Sequence, residues 1–344
     1  MESSQIKKIV FRTIGGGDCG YGHYYRCISL ANALNYFGNV KIEFIINKEL
    51  VRSIDDLGFE YIICNDLKKD NELLKDMRPD IFIFDSYLGN NYYLEKVSEL
   101  TTLVLFDDNN DIYDSTIPNM IINGNIHAQD LEYKKKKEGI YLLGTKYLVM
   151  KQEYWSLLNN DNNYSNKKFS FNNNYFNILI TTGGSDQYRI SLKVIEVLLT
   201  TSYEKKVIIG PSYEDDLIIR LKNIEEENST VKLIYNPDSL KESIVSSDIV
   251  ITAGGSTIYE ALSQHKFPII FSLADNQDIL CSKLKEMGLS YIGKHPNIKF
   301  EKILSKIDKI YQMKRNNEFI DFNFHKTIDG NGALRIADKI LNLL

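Results

Sequence analysis

Short apolar runs alternate with longer amphipathic stretches along most of the chain. The amphipathic stretches predict helices, the first of them from about His23 to Phe37. In the first half, the apolar runs predict strands at Ile9–Thr13, Val40–Ile46, Tyr61–Cys64, Ile81–Asp85, Leu103–Phe106 and Met120–Ile122. Buried strands that alternate with helices indicate βα units on a parallel sheet.

The same alternation starts again in the second half. Strands are predicted at Asn177–Thr181, Lys206–Ile209, Val231–Tyr235, Asp248–Thr252 and Pro268–Ser272. Helices are predicted at Asp186–Leu199, Asp215–Ile224, Ser239–Ser246, Thr257–Ser263, Asp278–Met287, Phe300–Met313 and Gly332–Asn342. Between the halves, a polar stretch rich in Asn follows Trp155 and has no periodicity, which is typical of a linker or an exposed loop.

These patterns predict an α/β protein with two Rossmann-like, doubly wound domains. The N-terminal domain covers residues 1–155, the linker or exposed loop covers 156–176, and the C-terminal domain covers 177–344. A length of 344 residues agrees with two domains. Ligands of open α/β sheets bind beyond the carboxyl ends of the strands, so we expect the ligand in a cleft where two such faces meet.

Composition narrows the classes of partner. The net charge of −5 and the pI of about 5.7 argue against a nucleic-acid binder, which carries a basic surplus. No apolar run approaches the roughly 20 residues that span a bilayer, and the N-terminal apolar stretch is too short for a signal peptide. We therefore expect a cytoplasmic protein. The four cysteines lack metal-like spacing and are expected as reduced thiols, and the oligomeric state stays open.

Three glycine clusters stand at predicted strand ends, each before a predicted helix. Glycine lets the backbone approach a ligand closely, and a helix N-terminus offers N–H groups and positive potential to a phosphate. A simple βα turn with a Ser or Thr cap has the same composition at any one position, but three such turns favour a phosphate site. The expected substrate-binding residues are Gly20 and Gly22 in the first cluster, Gly183, Gly184 and Ser185 in the second, and Gly254, Gly255, Ser256 and Thr257 in the third.

His23 is the main catalytic candidate in the first half. It lies at the start of a predicted helix, where the helix dipole disfavours an imidazolium, so we expect a neutral side chain available as a base. Arg26, one turn later on the same face, is a candidate substrate-binding residue. Asp85, which ends a predicted strand, and Tyr87 are catalytic candidates that can orient His23 or the substrate. The pair Asp107-Asp108 ends the next strand, where aspartates also form turns and caps.

Polar residues in the second half follow the third glycine cluster. Glu260 lies one helical turn after Ser256, where a carboxylate can accept hydrogen bonds from ribose hydroxyls. Asn276 and Gln277 follow a predicted strand and supply amide donors and acceptors at its end. The remaining histidines show no metal-ligand spacing, so no metal site is expected.

Several segments carry a family resemblance. They are Arg12-Thr13, the glycine loop through His23, Arg26-Cys27, ILITTGGSDQ at 178–187, ITAGGSTIYEAL at 251–262 and SLADNQ at 272–277. Together they resemble the PseG family, the UDP-2,4-diacetamido-2,4,6-trideoxy-β-L-altropyranose hydrolases of pseudaminic acid biosynthesis. This family is related to the SpsG-like spore-coat proteins and to GT-B glycosyltransferases. The G-x-G-H-x-x-R element is more restrictive than GGS-x-T-x-x-E-A, which many GT-B enzymes share.

The resemblance implies a GT-B-like fold whose C-terminal half holds UDP. It also implies an inverting hydrolysis at the anomeric carbon, without metal or cofactor. His23 falls on the family's catalytic histidine, Glu260 on its ribose-binding glutamate, and Asn276 in the loop that contacts the nucleotide-sugar. Two positions depart from the family pattern: Ile14 stands where an acidic residue is common, and Ser86 stands where the family often has His. Both border the sugar side, so the sugar and the acceptor stay open.

The predicted function is therefore hydrolysis of a UDP-sugar. One alternative is a GT-B glycosyltransferase that uses the same UDP-sugar with a non-water acceptor, and another is a non-catalytic nucleotide-sugar binding module. A dehydrogenase is a third alternative, because Gly15, Gly17 and Gly20 have the G-x-G-x-x-G spacing. Its ribose-binding acid would have to be Glu43, which lies inside a predicted strand rather than at its end.

Overall fold

A computed structural model describes residues 6–16, 20–155, 176–315 and 328–344. The chain divides into two compact units, the first formed by Met1–Ser156 with Gly330–Leu344 and the second by Leu157–Asp329. Of the predicted linker, 156–176, only Phe176 is among the described residues. None of the helices in the described part of the chain has the length and apolar character that crossing a bilayer requires.

The first unit is built on a seven-stranded sheet whose strand pairs are all parallel. Its strands are β1 (Lys7–Thr13), β2 (Val40–Ile46), β3 (Glu60–Ile63), β4 (Ile81–Asp85), β5 (Thr102–Phe106), β6 (Met120–Asn123) and β7 (Ile140–Leu143). They lie in the order β3-β2-β1-β4-β5-β6-β7. The central strands are continuous apolar runs because a parallel sheet is covered on both faces.

The second unit repeats this plan with a six-stranded parallel sheet. Its strands are β8 (Asn177–Thr181), β9 (Glu204–Ile209), β10 (Val231–Tyr235), β11 (Ile249–Ala253), β12 (Phe267–Ser272) and β13 (Ser290–Lys294). They lie in the order β10-β9-β8-β11-β12-β13. A core of buried Ile, Leu and Val side chains fills the space between this sheet and its helices.

Helices connect the strands in both units. Those of the first sheet are α1 (Gly22–Phe37), α2 (Val51–Asp55), α3 (Asp70–Met77) and α4 (Asn91–Ser98). Those that follow are α5 (Ile190–Leu198), α6 (Asp215–Glu227), α7 (Lys241–Val245), α8 (Ser256–Ser263), α9 (Asp278–Glu286), α10 (Ile303–Arg315) and α11 (Gly332–Leu341).

Each sheet has a point where its winding reverses, between β1 and β4 in the first and between β8 and β11 in the second. Ligands of doubly wound sheets bind beyond the strand ends at this point. In the first sheet, Thr13 at the end of β1 pairs with Asp85 at the end of β4. The glycine clusters follow β1, β8 and β11, so all three lie at a reversal point.

The predicted strands are confirmed to within two residues at each end, but β7, β13 and α4 are absent from the prediction. β7 and β13 are edge strands, one in each sheet. Most of their residues are only half-buried, and β13 (SYIGK) mixes polar residues and glycine with its apolar ones, whereas β7 (IYLL) is apolar but only four residues long. The other two edge strands, β3 and β10, are among the predicted ones.

The last helix differs from the prediction, which places it in the C-terminal domain. α11 packs along α1 in the first unit. A Cβ on Gly332 would lie 2.0 Å from the Leu148 carbonyl oxygen, so only glycine permits this close return of the chain. Arg335 Nη1 donates to the Lys146 carbonyl at 3.1 Å. The apolar stripe of α11 predicts a buried face but does not identify the surface it covers.

Candidate active site

His23 and Asp85 form the centre of the candidate site in the first unit. His23 is the second residue of α1 and is 7% exposed, whereas Asp85 ends β4 and is fully buried. His23 Nδ1 lies 2.6 Å from Asp85 Oδ1. Because a carboxylate oxygen only accepts, this contact selects the neutral tautomer with the proton on Nδ1 and the lone pair on Nε2. The two residues thus form a potential base and the carboxylate that orients it.

Arg26 links this pair to a second carboxylate. Its guanidinium donates to Asp85 through Nε to Oδ2 at 2.8 Å and through Nη2 to Oδ1 at 2.7 Å. It also donates to Asp108 through Nη1 to Oδ1 at 2.7 Å and through Nη2 to Oδ2 at 3.0 Å. Burial alone lowers the pKa of Arg26, but the two carboxylates raise it well above its usual value. The sequence predicts that Arg26 binds substrate, whereas the structure commits most of its donors to these carboxylates.

Asp108 joins Arg26 to Tyr87, whose hydroxyl donates to Asp108 Oδ2 at 2.6 Å. The Asn125 side chain donates to Asp108 Oδ1 at 3.0 Å. Burial raises the pKa of Asp108, but the charge and hydrogen bonds of Arg26 and the Tyr87 hydroxyl outweigh it and hold that pKa well below its usual range. The Tyr87 ring packs edge-on against the His23 imidazole, with ring centroids 4.6 Å apart. Burial and the Asp108 charge raise the pKa of Tyr87, so its hydroxyl stays protonated.

Hydrogen bonds already occupy the carboxylates of this cluster. Besides its bonds from His23 and Arg26, Asp85 accepts from Cys27 Sγ at 3.7 Å. Burial raises the pKa of Cys27 well above its usual value, so this side chain is a thiol. His23 Nε2 has no hydrogen-bond partner among the described residues and is not closed off from solvent. The cluster therefore presents one basic nitrogen to a bound molecule.

The glycine loop after β1 is held by Asn47, which follows β2. Gly15 N donates to Asn47 Oδ1 at 3.0 Å, and Asn47 Nδ2 donates to the Gly15 carbonyl at 2.8 Å. Gly16 N donates to the Gly20 carbonyl at 2.9 Å. A Cβ at Gly20 or Gly22 would meet no atom within 4 Å. The two predicted substrate-binding glycines therefore border open space at the start of α1.

In the second unit, Gly183 and Gly184 follow β8 and are exposed. Gly183 has a φ of 98°, and a Cβ at either position would meet nothing within 4 Å. Their carbonyl oxygens face Gly210 at the end of β9, where a Cβ would lie 2.5 Å from both. The exposed Ser185 offers its carbonyl to the Thr182 hydroxyl at 3.2 Å. This loop is packed on one side and open on the other.

The sequence predicts that α5 begins at Asp186, but the helix begins at Ile190. Asp186 Oδ1 accepts from Ile190 N at 2.8 Å, and Asp186 Oδ2 accepts from Ser191 N at 2.8 Å. A carboxylate thus already satisfies N–H groups at the start of α5, where a phosphate was expected. Substrate binding by Gly183, Gly184 and Ser185 stays a prediction, without the N–H groups of Ile190 and Ser191.

The N-terminus of α8 is built differently from that of α5. It begins at Ser256 directly after Gly255, an N-cap residue that has no side chain to cap the helix. A Cβ at Gly255 would meet nothing within 4 Å, whereas one at Gly254 would lie 2.7 Å from Cys281 Sγ and 2.8 Å from Gln277 Cβ. Gly254 therefore permits tight packing, while Gly255 and Ser256 border a space that suits an anion.

The other candidates of the second unit lie around this helix start. Thr257 and Glu260 are half-buried in the first turns of α8. Gln277 ends a short 3-10 turn after β12, and its Oε1 accepts from Leu273 N at 2.8 Å. The backbone of Asn276 lies in the same turn. Gln277 therefore lies close to Gly254, and the two follow the paired strands β12 and β11.

Sequence reasoning missed the residues that hold these loops in place, Asn47 and Asp186. Each is a short polar residue near a glycine turn, which is the local signal that could have identified it. Asn47 binds Gly15 across 32 positions, so its partner depends on which strands are neighbours.

The sequence predicts reduced cysteines and no metal site. Cys27, Cys64 and Cys281 are free and buried, and Cys19 lies outside the described residues. Within the described ranges, no three His, Cys, Asp or Glu side chains are grouped as a metal site would require.

Two curated proteins are similar in sequence to the chain, although no protein-family model matches it. The uncharacterized protein MJ1062 of Methanocaldococcus jannaschii is 30% identical over 269 residues, which are 74% of this chain and 53% of that protein. The chain thus spans about half the length of that relative. Spore coat polysaccharide biosynthesis protein SpsG of Bacillus subtilis is 21% identical over 96% of each protein. The chain is a distant homologue of SpsG along nearly its full length.

Solved structures of several enzymes share the fold. Acinetobacter baumannii MurG has a TM-score of 0.69 at 11% identity, covering 98% of this chain and 99% of its own. The calicheamicin glycosyltransferase CalG4 has a TM-score of 0.65 at 11% identity, covering 99% and 98%. UDP-GlcNAc 2-epimerase from Neisseria meningitidis, solved with UDP-GlcNAc, has a TM-score of 0.64 at 12% identity, covering 98% and 100%. The predicted GT-B fold is confirmed, and membership of the PseG family stays a prediction.

Proposed function

We propose that this protein hydrolyses a UDP-sugar and releases UDP by attack of water at the anomeric carbon. The hydrogen bond between His23 and Asp85 carries the proposal, because it leaves Nε2 as the one basic nitrogen of a cluster whose carboxylates are already bonded. The second unit binds UDP at the start of α8, with Ser256 at the phosphates and Glu260 at the ribose. The GT-B fold and the homology to SpsG support a substrate of this class.

The sugar we propose is a diacetamido-trideoxy hexose, on the resemblance to the PseG family. The two departures from that family's pattern are both buried, with Ile14 8% and Ser86 1% exposed. Ser86 Oγ accepts from Leu88 N at 3.1 Å, and the Ser86 carbonyl accepts from the Tyr113 hydroxyl at 2.6 Å. The influence of Ser86 on the sugar therefore acts through the loop it shapes, which includes Tyr87.

The reaction needs one proton acceptor and one stabilised leaving group. His23 Nε2 takes a proton from water while the water oxygen bonds to the anomeric carbon. The bond from that carbon to the UDP oxygen breaks, the electron pair leaves with UDP, and the configuration inverts. Asp85 stabilises the imidazolium through Nδ1, and the N–H groups at the start of α8 stabilise the new charge on UDP. A positioned base contributes about 10²–10⁴-fold to such a step.

A panel of UDP-sugars tests the proposal. The panel includes UDP-GlcNAc and the UDP-diacetamido-trideoxy sugar, with released UDP assayed and the first-formed anomer identified by NMR. We expect His23→Asn to lower turnover by about 10³-fold while the Kd for UDP changes by less than about threefold. If His23→Asn kept wild-type turnover, His23 would not be the catalytic base. If no sugar of the panel released UDP, the proposal of a UDP-sugar hydrolase would be refuted.

Two alternatives make different predictions in the same assays. A glycosyltransferase, which the likeness to MurG and CalG4 favours, releases UDP only when an acceptor is present, whereas a hydrolase yields free sugar without one. A non-catalytic module shows UDP-dependent thermal stabilisation without UDP release. The dehydrogenase alternative loses support. It requires Glu43 to bind a ribose, but Glu43 is already paired with Lys8 and Lys41, each at 2.9 Å.

A further inference from the structure

We propose that Asp108 is a positioning residue for the base: it neutralises Arg26 and so leaves the charge of Asp85 available to His23. This inference rests on the proposed function, since it concerns the activation of the same base. It assigns Asp108 a role beyond the turn or cap that its place at a strand end suggests.

The charges that surround the imidazole determine how readily it accepts a proton. His23 becomes a cation when it accepts a proton, and Asp85 at 2.6 Å stabilises that cation. Arg26 opposes it, because its guanidinium binds the same carboxylate through two hydrogen bonds and lies 3.4 Å from His23 Nδ1. Without a second carboxylate, the charges of Arg26 and Asp85 would cancel. Asp108 supplies that carboxylate and restores one surplus negative charge for the imidazolium.

The bonds of Asp108 exclude other roles for it. Each of its oxygens accepts two hydrogen bonds, from Arg26 and Asn125 at Oδ1 and from Arg26 and Tyr87 at Oδ2. These bonds fill the acceptor sites of a carboxylate, so Asp108 has none left for a sugar or a water. Asp108 therefore acts through its neighbours. One of them is Tyr87, whose ring it holds edge-on against His23.

Asp108→Asn removes the charge with almost no change in volume. We expect kcat to fall roughly 10²-fold and KM to change by less than about threefold. We also expect the acid limb of the kcat/KM profile to move to lower pH, because the imidazolium loses a negative neighbour. The double variant Arg26→Met with Asp108→Asn removes both opposing charges, so its acid limb should return toward the wild-type position. A purely structural role for Asp108 would not produce this return.

Asp107→Asn is the matched control at the adjacent position. Asp107 Oδ1 accepts from the backbone of Asn109 at 3.0 Å and of Asn110 at 2.7 Å, bonds that an Asn oxygen keeps. Burial raises the pKa of Asp107, and no hydrogen bond joins it to Arg26 or Tyr87 in the described part of the chain. We expect its kcat and its acid limb to match wild type.

The outcomes separate this inference from the proposed function. The inference is overturned if Asp108→Asn and Asp107→Asn have the same kcat and the same acid limb of the kcat/KM profile. It is also overturned if the acid limb of the double variant stays at the pH found for Asp108→Asn. If the wild type releases UDP from no sugar in the panel, the proposed function fails. In that case, the positioning role is tested by NMR titration of the protein labelled with ¹⁵N-histidine. The His23 signals are assigned as those that disappear in the His23→Asn variant. Titration of His23 at lower pH in Asp108→Asn alone supports the positioning role, and unchanged titration overturns it.

Discussion

Replacing Asp85 by Asn probes the candidate base at a fully buried position with almost no change in volume. Asp85 accepts N–H bonds from His23 Nδ1, Arg26 Nε and Arg26 Nη2. An Asn side chain has one acceptor oxygen, so its NH₂ group must face one of these donors. If it faces His23, the imidazole must change tautomer, and the proton then sits on Nε2, where the lone pair is needed.

The size of the effect follows from the charge that is lost. A unit charge on imidazolium and one on carboxylate, about 4 Å apart, attract by about 4 kcal/mol at an effective dielectric constant of about 20. The Asp85→Asn enzyme loses this stabilisation when His23 is protonated. At about 1.4 kcal/mol per factor of ten, the loss in kcat is about 10³-fold, within the range expected for a positioned base.

UDP release measured on the best sugar of the panel provides the assay, with thermal unfolding as the check on folding. We expect Asp85→Asn and His23→Asn to reach similar residual rates, and the double variant to be no slower than either, because the two residues act as a unit. UDP affinity should stay near wild type in all three. An Asp85→Asn enzyme that keeps more than about a tenth of wild-type kcat would refute the reasoning, as would a double variant whose losses multiply.

Two further predictions concern nucleotide binding and stability. Glu260→Gln should weaken UDP binding about tenfold in calorimetry, because hydrogen bonds to charged groups contribute about 1.5–3 kcal/mol, and unchanged affinity would exclude Glu260 as the ribose ligand. Arg12→Met should lower the free energy of unfolding in urea by about 3–5 kcal/mol, since it leaves Asp70, bonded to Arg12 Nε at 2.8 Å, as an unpaired buried charge. Arg189→Gln breaks a half-exposed pair with Asp216 and should cost at most about 1 kcal/mol, so equal losses in the two variants would contradict this account.

The sequence pattern predicts the sheets well because buried parallel strands are continuous apolar runs. It does not predict which strand ends meet. His23 and Asp85 are each candidates from their own surroundings, but they are 62 positions apart, and their hydrogen bond exists because β4 lies beside β1. The role of Arg26 was missed for the same reason, since its second partner, Asp108, comes from the end of β5.

The start of α5 illustrates the opposite limit, where a local motif suggests too much. GGSD after β8 has the composition of a phosphate-binding turn, but Asp186 already accepts the N–H groups of Ile190 and Ser191. The turn before α8 has Gly255 at the N-cap, a residue with no side chain that could fold back onto the helix. Composition alone does not show which of these two turns is able to bind phosphate. That depends on whether an acidic side chain folds back onto the start of the helix.

Charge gives a physical reason to assign different tasks to the two units. The cluster around Arg26 has more negative than positive charge, so it suits a forming imidazolium and repels a diphosphate. In the second unit, Lys294 at the end of β13 is already paired with Asp275 and Asp278, and we expect the backbone N–H groups at the start of α8 to attract the phosphate. Variants of the first cluster should therefore lower kcat, and variants around α8 should weaken UDP binding. A first-unit variant that weakened UDP binding as strongly as it slowed turnover would contradict this division.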